Sequence, residues 1–243
     1  VVISVTSGDT GEATVSASSL TFTAANWNSA QTVTVTGVDD NIIDGNINTT
    51  ITMAVVDASS DDNFDGVANQ TVTATTTDND TAGFTLSKTT ATVTEAGGTD
   101  TYTVVLDAQP DSNVVITVTS ADTGEVTVSA AELTFTNGNW DTPQTVTLTG
   151  VDDDVIDVDT QTTVTMSVKD ASSDDNFDGV SDQTVTVTTT DNDTAAFTLG
   201  AISGTVTEGG STATFTVVLD AQPDSNVVIS VTSGDTGEAT VSA

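Results

Sequence analysis

The 243-residue sequence contains no cysteine, no histidine and only two basic side chains, Lys88 and Lys169. Without cysteine there is no disulfide and no thiolate chemistry. Thirty-six Asp and Glu against two Lys leave a formal charge of −34. A phosphate backbone is held by Lys and Arg, so this balance excludes nucleic acid as a partner. It also opposes docking on anionic membranes. No apolar run approaches the roughly 20 residues of a membrane helix, so direct membrane insertion by this segment is not expected. Aromatics are scarce at 4%, but hydrophobic residues reach 36% and are patterned, which predicts a folded chain rather than a disordered one. The sequence opens on Val1 with no initiator Met and no signal-like segment, and reads as a window on something longer.

What the sequence does have is repetition. "VVISVTSGDTGEATVSA" begins at Val1, returns as "VVITVTSADTGEVTVSA" at Val114, and recurs letter for letter at Val227, a step of 113 residues. Trp27 and Trp140, Phe64 and Phe177, Phe84 and Phe197, and Glu95 and Glu208 keep that step with no insertion or deletion. The period is too long for a solenoid turn of about 20 to 50 residues and suits a self-contained β-sandwich of about 100. The expected layout is the C-terminal part of one sandwich in residues 1–80, a complete repeat in 81–193, and the N-terminal part of a third in 194–243.

Within a repeat the period is two. "QTVTVTG" (Gln31 to Gly37), "QTVTLTG" (Gln144 to Gly150), "TVTMSV" (Thr163 to Val168) and "QTVTVTTT" (Gln183 to Thr190) alternate branched apolar residues with hydroxyls. "TYTVVL" from Thr101 and "VVITVT" from Val114 read the same way, and turn-forming stretches such as "DAQPDSN" and "ADTGE" separate them. No stretch has helical periodicity. The pattern predicts an all-β protein of two-sheet antiparallel sandwiches, with about seven to nine strands per repeat, arranged in a linear array. Trp140 reads as a core plug, and the Thr-rich outer faces as solvated sheet.

The acids gather in turns. "VDDDVID" holds Asp152, Asp153 and Asp157, and its copy "VDDNIID" holds Asp39, Asp40 and Asp44. "TTTDNDTA" closes two repeats with Asp78 and Asp80, then Asp191 and Asp193. Single glutamates recur in "TVTE" (Glu95, Glu208) and in "DTGE" (Glu12, Glu125, Glu238). Turn preference accounts for one Asp per turn, but less well for "DDD" and "DND". Like charges at about 4 Å repel by about 1 kcal/mol even in water. Calcium takes six to eight oxygens from several loops, so it is the expected cofactor. "DDNFDG" (Asp174 to Gly179) fits the first half of an EF-hand loop, but Val185 stands where the closing Glu belongs. It reads equally as a second calcium site or as a hydrogen-bonded turn.

Taken in order, "VTEAGG", "LTFT", "VDDxxxD" and "DNDTAG" make the repeat resemble the Calx-β domain, an Ig-like sandwich module. The resemblance implies a calcium ligand set of Glu95, Glu125, Asp152, Asp153, Asp157, Asp191 and Asp193, with Glu12, Asp39, Asp40, Asp44, Asp78, Asp80, Glu208 and Glu238 as copies in the flanking parts. The "NGNWDTPQ" and "SSDDNFDGV" stretches depart from exchanger-type members and resemble repeats of large bacterial adhesins and filament proteins.

These readings lead to an extracellular, cell-surface structural role, expected to be bacterial: a calcium-stiffened rod serving as adhesin stalk or filament body. Its partners would be neighbouring repeats of the same chain or identical subunits exchanging strands. The alternative is a calcium-sensing module coupled to a membrane protein. An enzyme is not expected, because there is no His, no Cys and no G-x-S-x-G motif. A Lys–Asn isopeptide staple is excluded, since Lys88 and Lys169 become Ala201 and Val56 in the neighbouring copies.

Overall fold

The computed structural model describes residues 1–242 of the chain. Its regular structure among these residues is all β, broken only by short 3-10 turns. Six strands come first: β1 (Val2–Ser7), β2 (Ala13–Val15), β3 (Ser19–Thr21), β4 (Val35–Gly37), β5 (Ile47–Val55) and β6 (Gln70–Thr76). Nine follow: β7 (Phe84–Leu86), β8 (Thr90–Thr94), β9 (Thr99–Leu106), β10 (Val114–Ser120), β11 (Val126–Val128), β12 (Glu132–Phe135), β13 (Gln144–Gly150), β14 (Thr160–Val168) and β15 (Gln183–Thr190). The last two are β16 (Phe197–Leu199) and β17 (Val217–Leu219).

The central nine strands form two sheets, in the orders β12-β10-β14-β15-β8 and β11-β13-β9-β7. Period-two patterning explains their packing. In β13, Val146 and Leu148 point inward and are fully buried, while the intervening threonines point out. β14 and β15 do the same with Val164, Met166, Val185 and Val187. Each such aliphatic side chain contributes about 1.5–3 kcal/mol when taken from water. The buried cluster they form runs from Phe84 to Val187 and includes Tyr102, Phe135 and Phe177. Tyr102 is fully enclosed, and its hydroxyl donates to the Met166 sulfur at 2.9 Å, so burying the ring leaves no polar orphan. Trp140, expected as a core plug, is half-buried and packs against this core without belonging to it.

Among the described residues every pair of strands is antiparallel except one. β8 and β15 run parallel, with Thr90 opposite Thr186 and Thr94 opposite Thr190. This single parallel pair decides where the acids meet.

β1–β6 reproduce the central registers one step earlier: Ile3 faces Val55 as Ile116 faces Val168. Burial does not follow. Trp27 is 70% exposed and Phe64 45%, whereas Phe177 is fully enclosed. The sheet β11-β13-β9-β7 supplies the opposing layer in the central sandwich; β2 and β4 copy β11 and β13, but among the described residues no counterparts of β7 and β9 cover β1–β6. β16 and β17 likewise pair Phe197 with Leu219, as β7 and β9 pair Phe84 with Leu106, with exposed apolar side chains.

Candidate metal centre

Because β8 and β15 are parallel, their C-terminal ends emerge at the same pole. Glu95 follows β8 directly, Asp191 and Asp193 follow β15, and the Glu95 N–H donates to the Thr190 carbonyl at 3.3 Å. An antiparallel pair would have put these groups at opposite ends. The Glu-Ala-Gly-Gly turn that carries Glu95 needs its glycines. Gly97 has φ +77°, a conformation that side chains disfavour. Gly150, at the end of β13, donates to the Gly98 carbonyl at 3.0 Å and lies so near the Thr94 carbonyl that a Cβ would overlap it. Glu125 arrives from the β10–β11 loop, where its carbonyl accepts from Val151 N–H at 2.9 Å. Asp157 arrives from the β13–β14 loop.

Two groups of carboxylates result, sharing one residue. Glu95, Asp191 and Asp193 each bring an oxygen within 4.8 Å of the others, and so do Glu95, Glu125 and Asp157. Glu95 is only 2% exposed. Buried oxygens of Glu95 (Oε2), Glu125 (Oε2), Asp157 (Oδ1) and Asp193 (Oδ2) have no hydrogen-bond partner. A buried unpaired charge is costly, and no basic side chain offsets it. Lys88 pairs with Asp100, and Lys169 with Glu132 at 2.6 Å.

The electrostatics follow. Burial first, then the Asp157, Asp191 and Asp153 charges, pushes the Glu95 carboxyl above its ordinary range, against the lowering effect of the Asn192 N–H. Burial followed by Asp157, Asp122 and Asp153 does the same to Glu125. Asp193 is raised by burial and then by Asp191, Asp154, Asp152 and Asp153. The "DND" turn divides its labour. Asp191 Oδ1 accepts from the Asp193 N–H at 2.7 Å and braces the turn, while Asp193 keeps a buried oxygen unpaired.

Other expected ligands stand elsewhere. Asp152 and Asp153 are exposed and outside both groups, and Asp153 Oδ1 accepts from the Val155 N–H at 2.7 Å. One repeat earlier, Glu12, Asp40 and Asp44 bring oxygens together, and Asp78 and Asp80 line the same small hollow. Asp39 belongs to neither set. Asp78 is held low by the N–H groups of Asp80 and Gly45, whereas Asp80 is raised by burial and then by Asp78, Asp39, Asp40 and Asp44. Glu208 and Glu238 are exposed and join no carboxylate group among the described residues.

"DDNFDG" is a turn here. Asp174 is buried, accepts from Asn176 N–H at 3.0 Å and Ser112 N–H at 2.8 Å, and caps a 3-10 turn that drives Phe177 into the core. One residue at the pole lay outside the expected set: Thr189, buried, whose hydroxyl faces Glu125 and works against the upward push of burial on that carboxyl. The alternation Val185, Val187, Thr189 points it inward, and that is the signal that finds it.

Chemically, the pole offers only hard oxygen donors, with no imidazole or thiolate. That donor set fits calcium-like cations rather than zinc or copper.

Compared with known proteins, the chain matches no family profile and no curated sequence. Among solved structures it is similar to domains 4 and 5 of the S-layer protein SbsC, at 18% identity and TM-score 0.39, covering 77% of this chain and 70% of that one. It is similar to the apo form of the Calx CBD1 domain at 19% identity and TM-score 0.36, covering 47% of this chain and all of the other. A third likeness, to CBD12 from CALX1.2, has 20% identity and TM-score 0.35, and spans about half of each chain, 48% and 49%. All three are weak in sequence and in superposition.

Proposed function

We propose that the chain is a segment of an extracellular rod on a bacterial surface, the stalk of an adhesin or the body of a filament, stiffened by calcium at each sandwich pole. One observation carries the metal assignment: four carboxylates at one pole have buried oxygens without partners, and no cationic side chain reaches them. Glu95, Glu125, Asp157, Asp191 and Asp193 would hold the ion or ions, Asp152 and Asp153 supporting from the exposed side of the loop. Glu12, Asp40, Asp44, Asp78 and Asp80 are the copy one repeat earlier. Residues 81–193 are taken as the repeating unit, with neighbouring repeats as its partners.

A bound cation replaces repulsion by attraction across strand ends and loops that meet at the pole. It fastens the closing turn of one sandwich just before Phe197 begins the next. Extracellular calcium modules bind with constants of about 0.1–1 mM, so such sites fill outside cells and empty inside them. At ten times the dissociation constant, each site adds about 1.4 kcal/mol to stability. Near-identical repetition suits a spacer, and the acidic surface discourages edge-to-edge pairing of similar strands.

The test is a calorimetric titration of the chain with calcium, paired with melting curves in calcium and in chelator. Heat of binding with a higher melting temperature is the expected result. A flat titration with coincident melts removes the assignment.

A further inference from the structure

Two surfaces of the described chain are open, and they are complementary. In the central sandwich β9 lies along β13, with Tyr102 opposite Val146, and β8 lies along β15, with Thr90 opposite Thr186. One repeat earlier, the strands in the receiving positions are edges: β6 ends the sheet β3-β1-β5-β6, and β4 pairs only with β2. One repeat later, the mates of β7 and β9 pair only with each other, as β16 and β17.

The exposed apolar side chains divide in the same way. Phe197, Val206 and Phe215 are exposed, whereas their mates Phe84, Val93 and Tyr102 are buried in the central core. Val35, Phe64 and Val72 are exposed, whereas their mates Leu148, Phe177 and Val185 are fully enclosed in that same core. Strand lengths agree. β13 begins at Gln144, but its copy β4 begins only at Val35, so residues 31–34 carry no strand. Their mates are the part of β13 that pairs with Val104 to Thr101 of β9. β9 begins at Thr99, but its copy β17 begins only at Val217, and residues 203–207, the copy of β8, carry no strand either. Each segment loses its strand where the central sandwich would lay a partner beside it.

We propose that copies of this chain join head to tail by strand complementation: residues 197–219 of one copy dock on β1–β6 of another, with 212–219 along β4 and 203–207 along β6. A strand edge with open N–H and C=O groups is a template for a strand of another chain, and the central sandwich gives the register. Gln31 would face Val217 and Val33 would face Phe215, as Gln144 faces Val104 and Val146 faces Tyr102. Phe197, Val206 and Phe215 then share a core with Val35, Phe64 and Val72. Residues 227–243 repeat residues 1–17 letter for letter, so they find no open place on the acceptor. The docking also sets Glu208 beside Asp78 and Asp80, as Glu95 stands beside Asp191 and Asp193. The contact is heterologous, so it passes from copy to copy instead of stopping at a pair. It rests on strand pairing and apolar burial, and holds without the calcium assignment.

The test is sedimentation of the full chain over a dilution series in chelator, with melting curves to confirm that each variant keeps its central sandwich. The native chain is expected to be monomeric when dilute and to grow beyond a dimer as concentration rises. F215D disables the donor and V72D the acceptor, so each alone stays monomeric. An equal mixture of the two has one good donor and one good acceptor, and forms a dimer that grows no further. V228D is the control for unspecific stickiness: Val228 is 91% exposed, yet lies outside the docking segment, and its loss leaves association unchanged. A native chain that stays monomeric at every concentration overturns the proposal. So does a mixture of F215D and V72D that forms no dimer, or association abolished by V228D and spared by F215D. Because calcium is absent throughout, none of these outcomes bears on the metal assignment.

Discussion

Replacing Glu95 by Gln keeps the side chain's shape and removes its charge, which separates the cost of the apo pole from the gain of the loaded one. In chelator, E95Q relieves a buried charge that has no cationic partner, and the expected effect is stabilisation by about 1 kcal/mol. In saturating calcium the same change removes a ligand shared by both carboxylate groups, so E95Q falls below the native chain. Melting curves of the two proteins should therefore cross between conditions. A variant that is less stable in both would assign Glu95 a purely structural role. The pH dependence has a defined sign. Glu95, Glu125 and Asp193 are all raised in the folded chain. The folded state then holds more protons than the unfolded one, and apo stability falls as pH rises above the ordinary values of 4.5 for Glu and 3.8 for Asp. In chelator, acidification from neutral pH toward those values raises the melting temperature. In calcium the trend reverses, because protons compete with the ion for the same oxygens. Melts across a pH series with and without calcium give both slopes.

At the scale of strands and turns, position in the assembly outweighs local sequence. F177A removes a fully enclosed ring and is expected to cost about 3–5 kcal/mol. Its repeat mate Phe64, in the same "DDNFDG" turn, is half-exposed, so F64A should cost under about 1 kcal/mol. Urea unfolding of both variants makes the comparison, and equal losses would mean that the face of β1–β6 is covered in solution. G150V pushes a side chain into the Thr94 carbonyl beneath the Glu95 turn, and should cost about 1–3 kcal/mol and weaken calcium binding together. G179A, with nothing near its would-be Cβ, should do neither. The strands themselves were legible in the sequence, because Val-Thr alternation states both the element and its buried face. The pole was legible only in part. That Glu95 meets Asp191 depends on a parallel pairing between strands at opposite ends of the repeat, and nothing local encodes which strands become neighbours. Asp153 and Asp157 sit in one loop with similar surroundings in sequence. Only the folded loop turns Asp157 inward and leaves Asp153 to cap the Val155 N–H. The half EF-hand motif left a calcium site and a hydrogen-bonded turn equally open, and only the fold shows Asp174 spending its oxygens on backbone donors.

For the whole molecule, a charge of −34 makes two kinds of cation effect separable. Monovalent salt screens all carboxylates alike, with a Debye length of about 3 Å at 1 M, and should stabilise the chelated chain gradually. Calcium acts at specific oxygens and should reach its full effect at millimolar concentration. Magnesium should be weaker, since it holds its water and demands a tighter octahedral shell. Scattering profiles then distinguish simple relief of repulsion from a stiffened joint. The most direct measurement is anomalous diffraction from crystals grown in millimolar calcium. The expected density is an ion between Glu95, Glu125 and Asp157, or between Glu95, Asp191 and Asp193, with their unpaired oxygens turned onto it. Carboxylates spread into solvent around an empty pole under those conditions would contradict the account.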